Sequence, residues 1–196
     1  MGTPEFAVPS LEGFYSNHDV VAVFTQSQKP AGRGMKLKKT PIHLKAEKLG
    51  LPVYTPNNLL KNDIHLLLKS FDLDFIIVVA YGLILPKQIL NIPKFIPING
   101  HASLLPKWRG SAPIQRAIEA GESVTGSTAM LMETGLDSGP ILLQKKLNIL
   151  TNDDSISIHR KLSYLTADCL LHAVDKYQKG KIDPKTQNPL QVSYAN

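Results

Sequence analysis

The stretch "DFIIVVAY" (Asp74 to Tyr81) decides the fold, because it is apolar along most of its length and rich in β-branched side chains. A strand with one solvated face alternates apolar and polar residues, whereas a continuous apolar run is typical of a strand buried on both faces. Such strands occur in parallel sheets that carry helices on both sides. We therefore predict that Asp74–Tyr81 is a central strand of an α/β domain.

The runs on either side of this strand alternate between strand-like and helix-like patterns. Short apolar runs predict strands at Asp19–Thr25, Leu51–Pro56 and Phe95–Gly100, and amphipathic runs predict helices at Thr40–Gly50, Lys61–Asp72 and Ser111–Gly121. Thr40, at the start of the first of these helices, is a predicted N-cap. This alternation indicates the α/β class, as a Rossmann-like, mostly parallel sheet flanked by helices.

The C-terminal part of the sequence has a different rhythm. Two strand-like runs, "GSTAMLME" (Gly126 to Glu133) and "PILLQKKLNI" (Pro140 to Ile149), are joined by the short loop "TGLDSG". This spacing predicts an antiparallel hairpin added to the sheet. A long helix is predicted to follow, and its apolar face carries Ile158, Leu162, Leu165, Cys169, Ala173 and Tyr177 at helical spacing. Cys169 is therefore predicted to be a core residue.

Composition restricts the class of protein. The 196 residues suit one domain with a substantial core, and the values of 43% hydrophobic and 19% charged residues are ordinary for a globular protein. A single cysteine excludes an internal disulfide framework. The apolar run Phe75–Leu85 is too short to cross a bilayer, and no signal peptide is recognised. We expect a cytoplasmic protein without membrane association.

The stretch "INGHASLLPKWRG" (Ile98 to Gly110) contains the first candidates for chemistry. Asn99 and His101 are two residues apart, so they share one face of a strand near its carboxyl end, where ligands of open α/β sheets bind. An amide donor and an imidazole could together stabilise an oxyanion and move a proton. Asp137, between Gly135 and Gly139, is a further candidate. Spacing alone leaves open that all three are ordinary loop residues.

The remaining signals are a basic cluster and the absence of common motifs. Seven basic residues and one acid, Glu47, lie between Lys29 and Lys48, which suits either a solvated surface or a phosphate-contacting arm. The sequence has no Walker A loop and no G-x-G-x-x-G or G-x-S-x-G motif, and its six histidines lack zinc spacing. We therefore expect no metal.

Several stretches resemble the methionyl-tRNA formyltransferase family. They occur in the family's order and run over nearly the whole chain: "GTPEFAVPSL" (Gly2 to Leu11), "KPAGRGMKLKKTPI" (Lys29 to Ile42), "VVAYGLILP" (Val78 to Pro86), "NGHASLLPKWRGSAPIQRAI" (Asn99 to Ile118) and "GLDSGPIL" (Gly135 to Leu142). Glycinamide ribonucleotide formyltransferases and the hydrolase domain of formyltetrahydrofolate dehydrogenase share the central motif. The basic loop favours the tRNA enzymes within this group.

The resemblance implies transfer of a formyl group from 10-formyltetrahydrofolate to methionyl-initiator tRNA, for translation initiation. It implies that Asn99 and His101 donate to the developing oxyanion, that Asp137 accepts protons, and that no metal takes part. A cytoplasmic monomer is expected. The implied folate-binding residues are Tyr81, Gly82, Ile84, Ser103, Leu104, Leu105 and Pro106. The implied tRNA-binding residues are Arg33, Lys36, Lys38 and Lys39.

The sequence departs from the family pattern at three places. The family's first strand is missing ahead of Met1, where Thr3 is instead predicted to cap a helix, and its C-terminal tRNA-binding β-barrel domain is absent. Residues 1–196 are thus predicted to be the catalytic domain. Gly100 replaces a branched residue, so Gly100→Val is predicted to be tolerated. Another formyl-folate enzyme, or an inactive fragment that binds folate or RNA, remains an alternative.

Overall fold

A computed structural model describes residues 1–31 and 36–195 of the chain. The α-helices of this part are α1 (Val8–Asn17), α2 (Pro41–Lys48), α3 (Asn62–Ser70), α4 (Lys87–Leu90), α5 (Pro113–Glu119) and α6 (Ser155–Gln178). Its strands are β1 (Val23–Phe24), β2 (Lys29–Ala31), β3 (Lys36–Lys38), β4 (Val53–Tyr54), β5 (Ile77–Val78), β6 (Ile98–His101), β7 (Arg109–Gly110), β8 (Val124–Leu131), β9 (Ile141–Asn148) and β10 (Tyr194–Ala195).

The central sheet has the predicted mixture of parallel and antiparallel strands. Strand β1 pairs in parallel with β4, and β5 pairs in parallel with β6. Beyond β6 the order continues to β8 and β9, both antiparallel to their neighbours. The α/β class and the antiparallel hairpin of β8 and β9 are therefore confirmed.

Met1 and Gly2 form backbone hydrogen bonds to both parallel pairs. The Gly2 N–H donates to the Phe24 carbonyl, and the Val79 N–H donates to the Met1 carbonyl, both at 3.0 Å. The Met1 amine donates to the Ile77 carbonyl at 2.7 Å. Met1 and Gly2 thus occupy one end of a strand position between β1 and β5.

The rest of that strand position is a cavity. Its volume is about 370 Å³, and residues 18–24 and 71–77 line it together with Met1. The predicted strands Asp19–Thr25 and Asp74–Tyr81 shorten to two residues each, Val23–Phe24 and Ile77–Val78. Their lengths were wrong because the edge that faces the cavity has no neighbouring strand among the described residues, so regular pairing on the other edge is confined to two residues in each strand.

Helix α6 supplies most of one side of the core. Asp154 caps it by accepting from the Ser157 N–H, while the Ser157 hydroxyl accepts from the Asp154 N–H. The predicted apolar face is confirmed, because Ile158, Leu162 and Cys169 are fully buried. Burial also raises the pKa of the Cys169 thiol to about 11, as expected for a core cysteine and not a nucleophile.

Two predictions about helix starts had opposite outcomes. Thr40 caps α2 as predicted, with its hydroxyl oxygen accepting from the His43 N–H. The Thr3 prediction was wrong, because the Thr3 hydroxyl instead donates to the Tyr81 carbonyl at 2.7 Å, and a 3₁₀ turn over Glu5–Ala7 precedes α1. The tertiary contact with Tyr81 takes the place of the local cap.

No helix within residues 1–31 and 36–195 is both long and apolar enough to cross a membrane.

The prediction that Gly100→Val is tolerated was wrong. A Cβ at Gly100 would lie 2.6 Å from Thr166 Cγ2 and 2.7 Å from Leu170 Cδ1. Real Cβ contacts are not this short, so the side chains of Thr166 and Leu170, or α6 itself, would have to shift. Gly100 is small because the helix packs directly on its backbone, a constraint that the sequence pattern did not reveal.

Candidate active site

Strand β6 places Asn99 and His101 on one face of the sheet, opposite the face that Gly100 presents to α6. Both side chains belong to residues that are at least nine-tenths buried. The register pairs Asn99 with Val78 of β5 on one side and with Met130 of β8 on the other. Their positions are therefore fixed by a continuous ladder of backbone hydrogen bonds.

Asp137 approaches these two residues from the loop between β8 and β9. Its Oδ1 lies 3.4 Å from Asn99 Nδ2, and its Oδ2 lies 3.6 Å from His101 Nδ1. The Gly110 N–H donates to Oδ2 at 2.9 Å, which is the shortest of these contacts. Asp137 has a φ of 45°, a left-handed conformation that costs of order 1–3 kcal/mol in a residue with a side chain. The surrounding contacts must supply this energy.

The hydrogen bonds of His101 fix the position of one ring proton. Its Nε2 lies 2.7 Å from the Trp108 carbonyl, which can only accept, so Nε2 carries a hydrogen. The other ring nitrogen, Nδ1, faces the Asp137 carboxylate. At 3.6 Å this contact is too long for a good hydrogen bond.

The Trp108 backbone is itself held in place. Its φ is 60°, its N–H donates to Ser193 Oγ at 2.9 Å, and its indole Nε1 donates to Glu122 Oε1 at 3.1 Å. Strand β10 pairs in parallel with β7, next to Trp108. The carbonyl that holds His101 is therefore anchored by a segment about 85 residues further along the chain.

Comparison with known proteins identifies the family. A formyl transferase family model matches residues 3–174. The chain belongs to the formyl transferase family. Two relatives named methionyl-tRNA formyltransferase match the chain over nearly its whole length. The one from Thermodesulfovibrio yellowstonii is 48% identical over 99% of the chain, and the one from Nitrosospira multiformis is 45% identical over 100%. The chain spans 63% of the length of each of them.

A solved structure has the same formyl transferase fold at lower identity. The N-formyltransferase from Helicobacter canadensis, in complex with folinic acid and dTDP-3-aminofucose, matches with a TM-score of 0.73 and 21% identity. The match covers 99% of this chain and 68% of that one. At this identity the likeness shows the shared architecture alone.

The loop after β6, predicted to bind folate, is tied into the formyl transferase core. Ser103 is fully buried, and its carbonyl accepts from Thr128 Oγ1 at 2.6 Å. The Leu105 N–H donates to Thr128 Oγ1 at 3.1 Å. Leu104 and Pro106 are half-buried. The loop is thus a rigid element beside His101, and its role in folate binding stays a prediction.

The three other residues predicted to bind folate have different environments. Tyr81 is 2% exposed, and burial raises its pKa to about 12. Its hydroxyl has no hydrogen-bond partner among the described residues. Gly82 is exposed with a φ of 78°, and Ile84 is 89% exposed. The Tyr81 ring packs in the core with Phe24 and Leu68, so only the turn that follows it is open to a ligand.

The basic cluster is only partly described. Arg33 and the side chain of Lys36 lie outside the described residues. Strands β2 and β3 form an antiparallel pair, and Lys38 at its end is exposed. Lys39 Nζ lies 2.5 Å from Glu47 Oε1, and this hydrogen bond lowers the pKa of the Glu47 carboxyl. Of the four residues predicted to contact tRNA, only Lys38 and Lys39 have described side chains. Lys39 pairs with Glu47, and Lys38 forms no ion pair within residues 1–31 and 36–195.

Several groups around Asp137 were missed by the sequence analysis. The Gly110 N–H and the Trp108 carbonyl act through the backbone, which carries no residue-specific signal. Gln187 and Ser193 follow α6, about 50 residues or more after Asp137, and belong to no motif. Within the described residues no three side chains are placed to hold a metal ion. The 370 Å³ cavity between β1 and β5 includes none of Asn99, His101 and Asp137 in its lining.

Proposed function

We propose that this chain transfers the formyl group of 10-formyltetrahydrofolate to the α-amino group of methionine on initiator tRNA. The names of its relatives at 45% and 48% identity support this assignment. Because the chain spans 63% of each relative, we propose that residues 1–196 form the catalytic domain of such an enzyme, with the tRNA-binding barrel outside them. The cytoplasmic location and monomeric state remain predictions from the resemblance.

The observation that carries the proposal is the convergence of Asn99, His101 and Asp137. The Asp137 carboxylate lies 3.4 Å from the Asn99 amide and 3.6 Å from the His101 imidazole, although Asp137 is 38 residues from Asn99 in sequence. Attack of an amine on a formyl carbon creates negative charge on oxygen and leaves an excess proton on nitrogen. The three groups supply a donor for that oxygen and acceptors for that proton.

The geometry suggests a division of labour between these residues. Only one N–H of the Asn99 amide has a partner within the described residues, so we assign the other to the formyl oxygen. His101 Nε2 is bound to the Trp108 carbonyl and Nδ1 faces Asp137, so we assign His101 to proton transfer and not to the oxyanion donation that the resemblance implied. As the new C–N bond forms, the Asp137–His101 pair takes the proton that the methionine nitrogen loses. The same proton then returns to the folate nitrogen as the old C–N bond breaks. Donors of this kind contribute about 2.7–4 kcal/mol each to transition-state stabilisation.

Binding of the two substrates is supported by separate observations. A structural relative was solved with folinic acid, a formylated folate, which supports a folate site on this fold. We propose that the loop Ser103–Pro106 and the turn after Tyr81 border the pterin. We propose that Lys38 and its basic neighbours on the β2–β3 pair contact the tRNA backbone, a contact that salt would weaken.

The test of the proposal is the rate of formyl transfer by a His101→Ala variant. We expect kcat for formylation of methionyl-tRNA to fall by about 10²-fold or more, because the variant loses the proton-exchanging partner of Asp137. KM for the folate should change little. His172→Ala is the matched control, because His172 is exposed on α6. A His101→Ala enzyme that turns over at the parent rate would refute the assigned site.

Two acceptors distinguish the alternatives in the same assay. Formylation of glycinamide ribonucleotide in preference to methionyl-tRNA would assign the chain to the purine pathway instead. Binding of the folate without transfer to either acceptor would show that this chain is a binding fragment. Formylation of methionyl-tRNA alone is the result that the proposal requires.

A further inference from the structure

Gln187 uses every hydrogen-bonding position of its side chain on the groups that hold Asp137. It follows α6, outside residues 3–174 that match the family model, and it is 6% exposed. Its Nε2 donates to the Asp137 and Gly139 carbonyls, both at 2.8 Å. Its Oε1 accepts from Arg109 Nε at 3.1 Å and from Arg109 Nη2 at 2.8 Å. A glutamine amide has two donors and two acceptor sites, and all four are used here.

The chemistry of the partners permits only one orientation of this amide. Backbone carbonyls can only accept, and an arginine guanidinium can only donate. Rotating the amide by 180° would place its N–H groups against the guanidinium and its oxygen against two carbonyls. Gln187 is therefore a specific connector between two chain segments, and a buried residue of similar size could not replace it.

One of these two segments carries Asp137, and the other donates a hydrogen bond to its carboxylate. One is the loop Asp137–Gly139, in which Asp137 has its left-handed φ of 45°. The other is β7, whose Gly110 N–H donates to Asp137 Oδ2. Because Gln187 binds the guanidinium of Arg109, the residue before Gly110, and the backbone carbonyl of Asp137, it links the two segments that carry the donor and the carboxylate. It also stabilises a backbone conformation that is unfavourable by itself.

The chain on either side of Gln187 is attached to the same region. Lys185 exchanges two backbone hydrogen bonds with Ile141 at the start of β9, each 2.8 Å long. Ser193 accepts from the Trp108 N–H, and β10 pairs with β7. The segment 185–195 thus contacts the supports of both His101 and Asp137, and Gln187 is its only side chain that reaches the Asp137 loop within the described residues.

We infer that Gln187 is a positioning residue for Asp137, and that the segment 185–195 is an integral part of the site and not a tail. This inference rests on the proposed function for its kinetic consequence. Without the glutamine, the Asp137 loop and β7 lose their common anchor, and the carboxylate is no longer held against Asn99 and His101. A displacement of about 1 Å at a reacting group can lower a rate by about 10²-fold.

The kinetic test compares Gln187→Met and Gln187→Glu with the parent. Methionine keeps the volume and removes all four hydrogen bonds, whereas glutamate keeps the acceptor for Arg109 and removes both donors to the carbonyls. We expect kcat to fall by about 10-fold to 10²-fold in both, with KM for the folate within about twofold of the parent. Gln191→Met is the matched control, because Gln191 is an exposed glutamine of the same segment.

A double variant separates positioning from general damage to the fold. If Gln187 acts through Asp137, then adding Gln187→Met to Asp137→Asn should lower kcat by less than threefold further, because the group that it positions is already disabled. General damage would instead multiply the two losses. Full multiplication in the double variant, or an unchanged kcat in both single variants, would overturn the inference.

A second measurement does not depend on activity. Hydrogen exchange of the Gly110 amide reports its bond to the Asp137 carboxylate, and we expect Gln187→Met to lower its protection by at least 10-fold, while Gln191→Met leaves it unchanged. A parent chain that does not formylate methionyl-tRNA would contradict the proposed function alone. Unchanged Gly110 protection in Gln187→Met would contradict the positioning role, whether or not the chain is active.

Discussion

Replacing Gly100 with alanine or valine tests how closely α6 packs on β6. The alanine Cβ would lie 2.6 Å from Thr166 Cγ2, and Thr166 cannot easily move because its hydroxyl lies 2.8 Å from the Ser127 hydroxyl. Threonine is also stiff at χ1, because it is branched at Cβ. The other contact, with Leu170 Cδ1, is the end of a longer side chain, but Leu170 is fully buried.

Two opposing effects decide the magnitude. Removing a glycine from a strand gains about 0.5–1 kcal/mol, because the unfolded chain loses conformational freedom. Overpacking a close contact costs about 1–3 kcal/mol. The clash is therefore expected to win, with Gly100→Ala less stable than the parent by about 1–2 kcal/mol. Gly100→Val adds two further methyl groups at the same contact and should lose about 3 kcal/mol or more.

The assay is equilibrium unfolding in urea, with a double variant as the decisive measurement. Thr166→Ser removes the Cγ2 methyl and keeps the hydroxyl, so Gly100→Ala/Thr166→Ser should recover at least half of the alanine loss. Gly50→Ala is the control, because a Cβ there meets nothing within 4 Å and the loss comes only from its φ of 71°. Thr166→Ser should not rescue it. Stability of Gly100→Ala within about 0.3 kcal/mol of the parent, or no rescue, would refute the packing argument.

Two further predictions concern the strand position that begins at Met1. Burial lowers the pKa of the Met1 amine from 8.0 to about 5, so between these values the unfolded chain binds a proton that the folded chain does not. The free energy of unfolding should therefore rise from pH 5 to pH 8 by up to about 4 kcal/mol. N-terminal acetylation should remove this rise. Identical urea midpoints for the free and the acetylated chain across that pH range would contradict the prediction. Adding five β-branched apolar residues before Met1 should fill the cavity and raise the thermal midpoint by several degrees. A five-residue proline-glycine extension should leave the midpoint unchanged. Equal midpoints for the two extensions would exclude strand pairing between β1 and β5.

The helices and strands could be predicted from the sequence, but the lengths of the strands beside the cavity could not. The apolar run Asp74–Tyr81 lies in the sheet, but pairing is confined to Ile77–Val78 and a bridge at Val79. A hydrophobic pattern records which faces are buried, whereas the length of a strand also depends on the chains that pair with its edges. Residues 71–77 face the cavity along one edge, and no periodicity within those residues could have shown that.

The candidate site was likewise only partly predictable from the sequence. Asn99 and His101 share a face because side chains alternate along a strand, which is a local rule. The approach of Asp137 depends on register: Asn99 pairs with Met130, and Met130 pairs with Ile141, so the loop between β8 and β9 opens beside Asn99. Register is set by the turn and by the core together, and the sequence indicated only that a hairpin was present.

Gly100 connects the chemistry of β6 with the packing of α6. On one face the strand presents Asn99 and His101, and on the other it meets Thr166, which is hydrogen-bonded to Ser127. Ser127 in turn donates to the His101 carbonyl at 3.3 Å, so a helix displaced by a larger residue at position 100 would disturb the backbone that carries the His101 imidazole. A close-packed interface fixes the summed volume of its two sides. The branched residue expected from the family resemblance at position 100 is therefore compatible with this fold only if the helix presents smaller groups at positions 166 and 170. The size of the side chain that position 100 can hold depends on both β6 and α6, so it cannot be predicted from the strand alone.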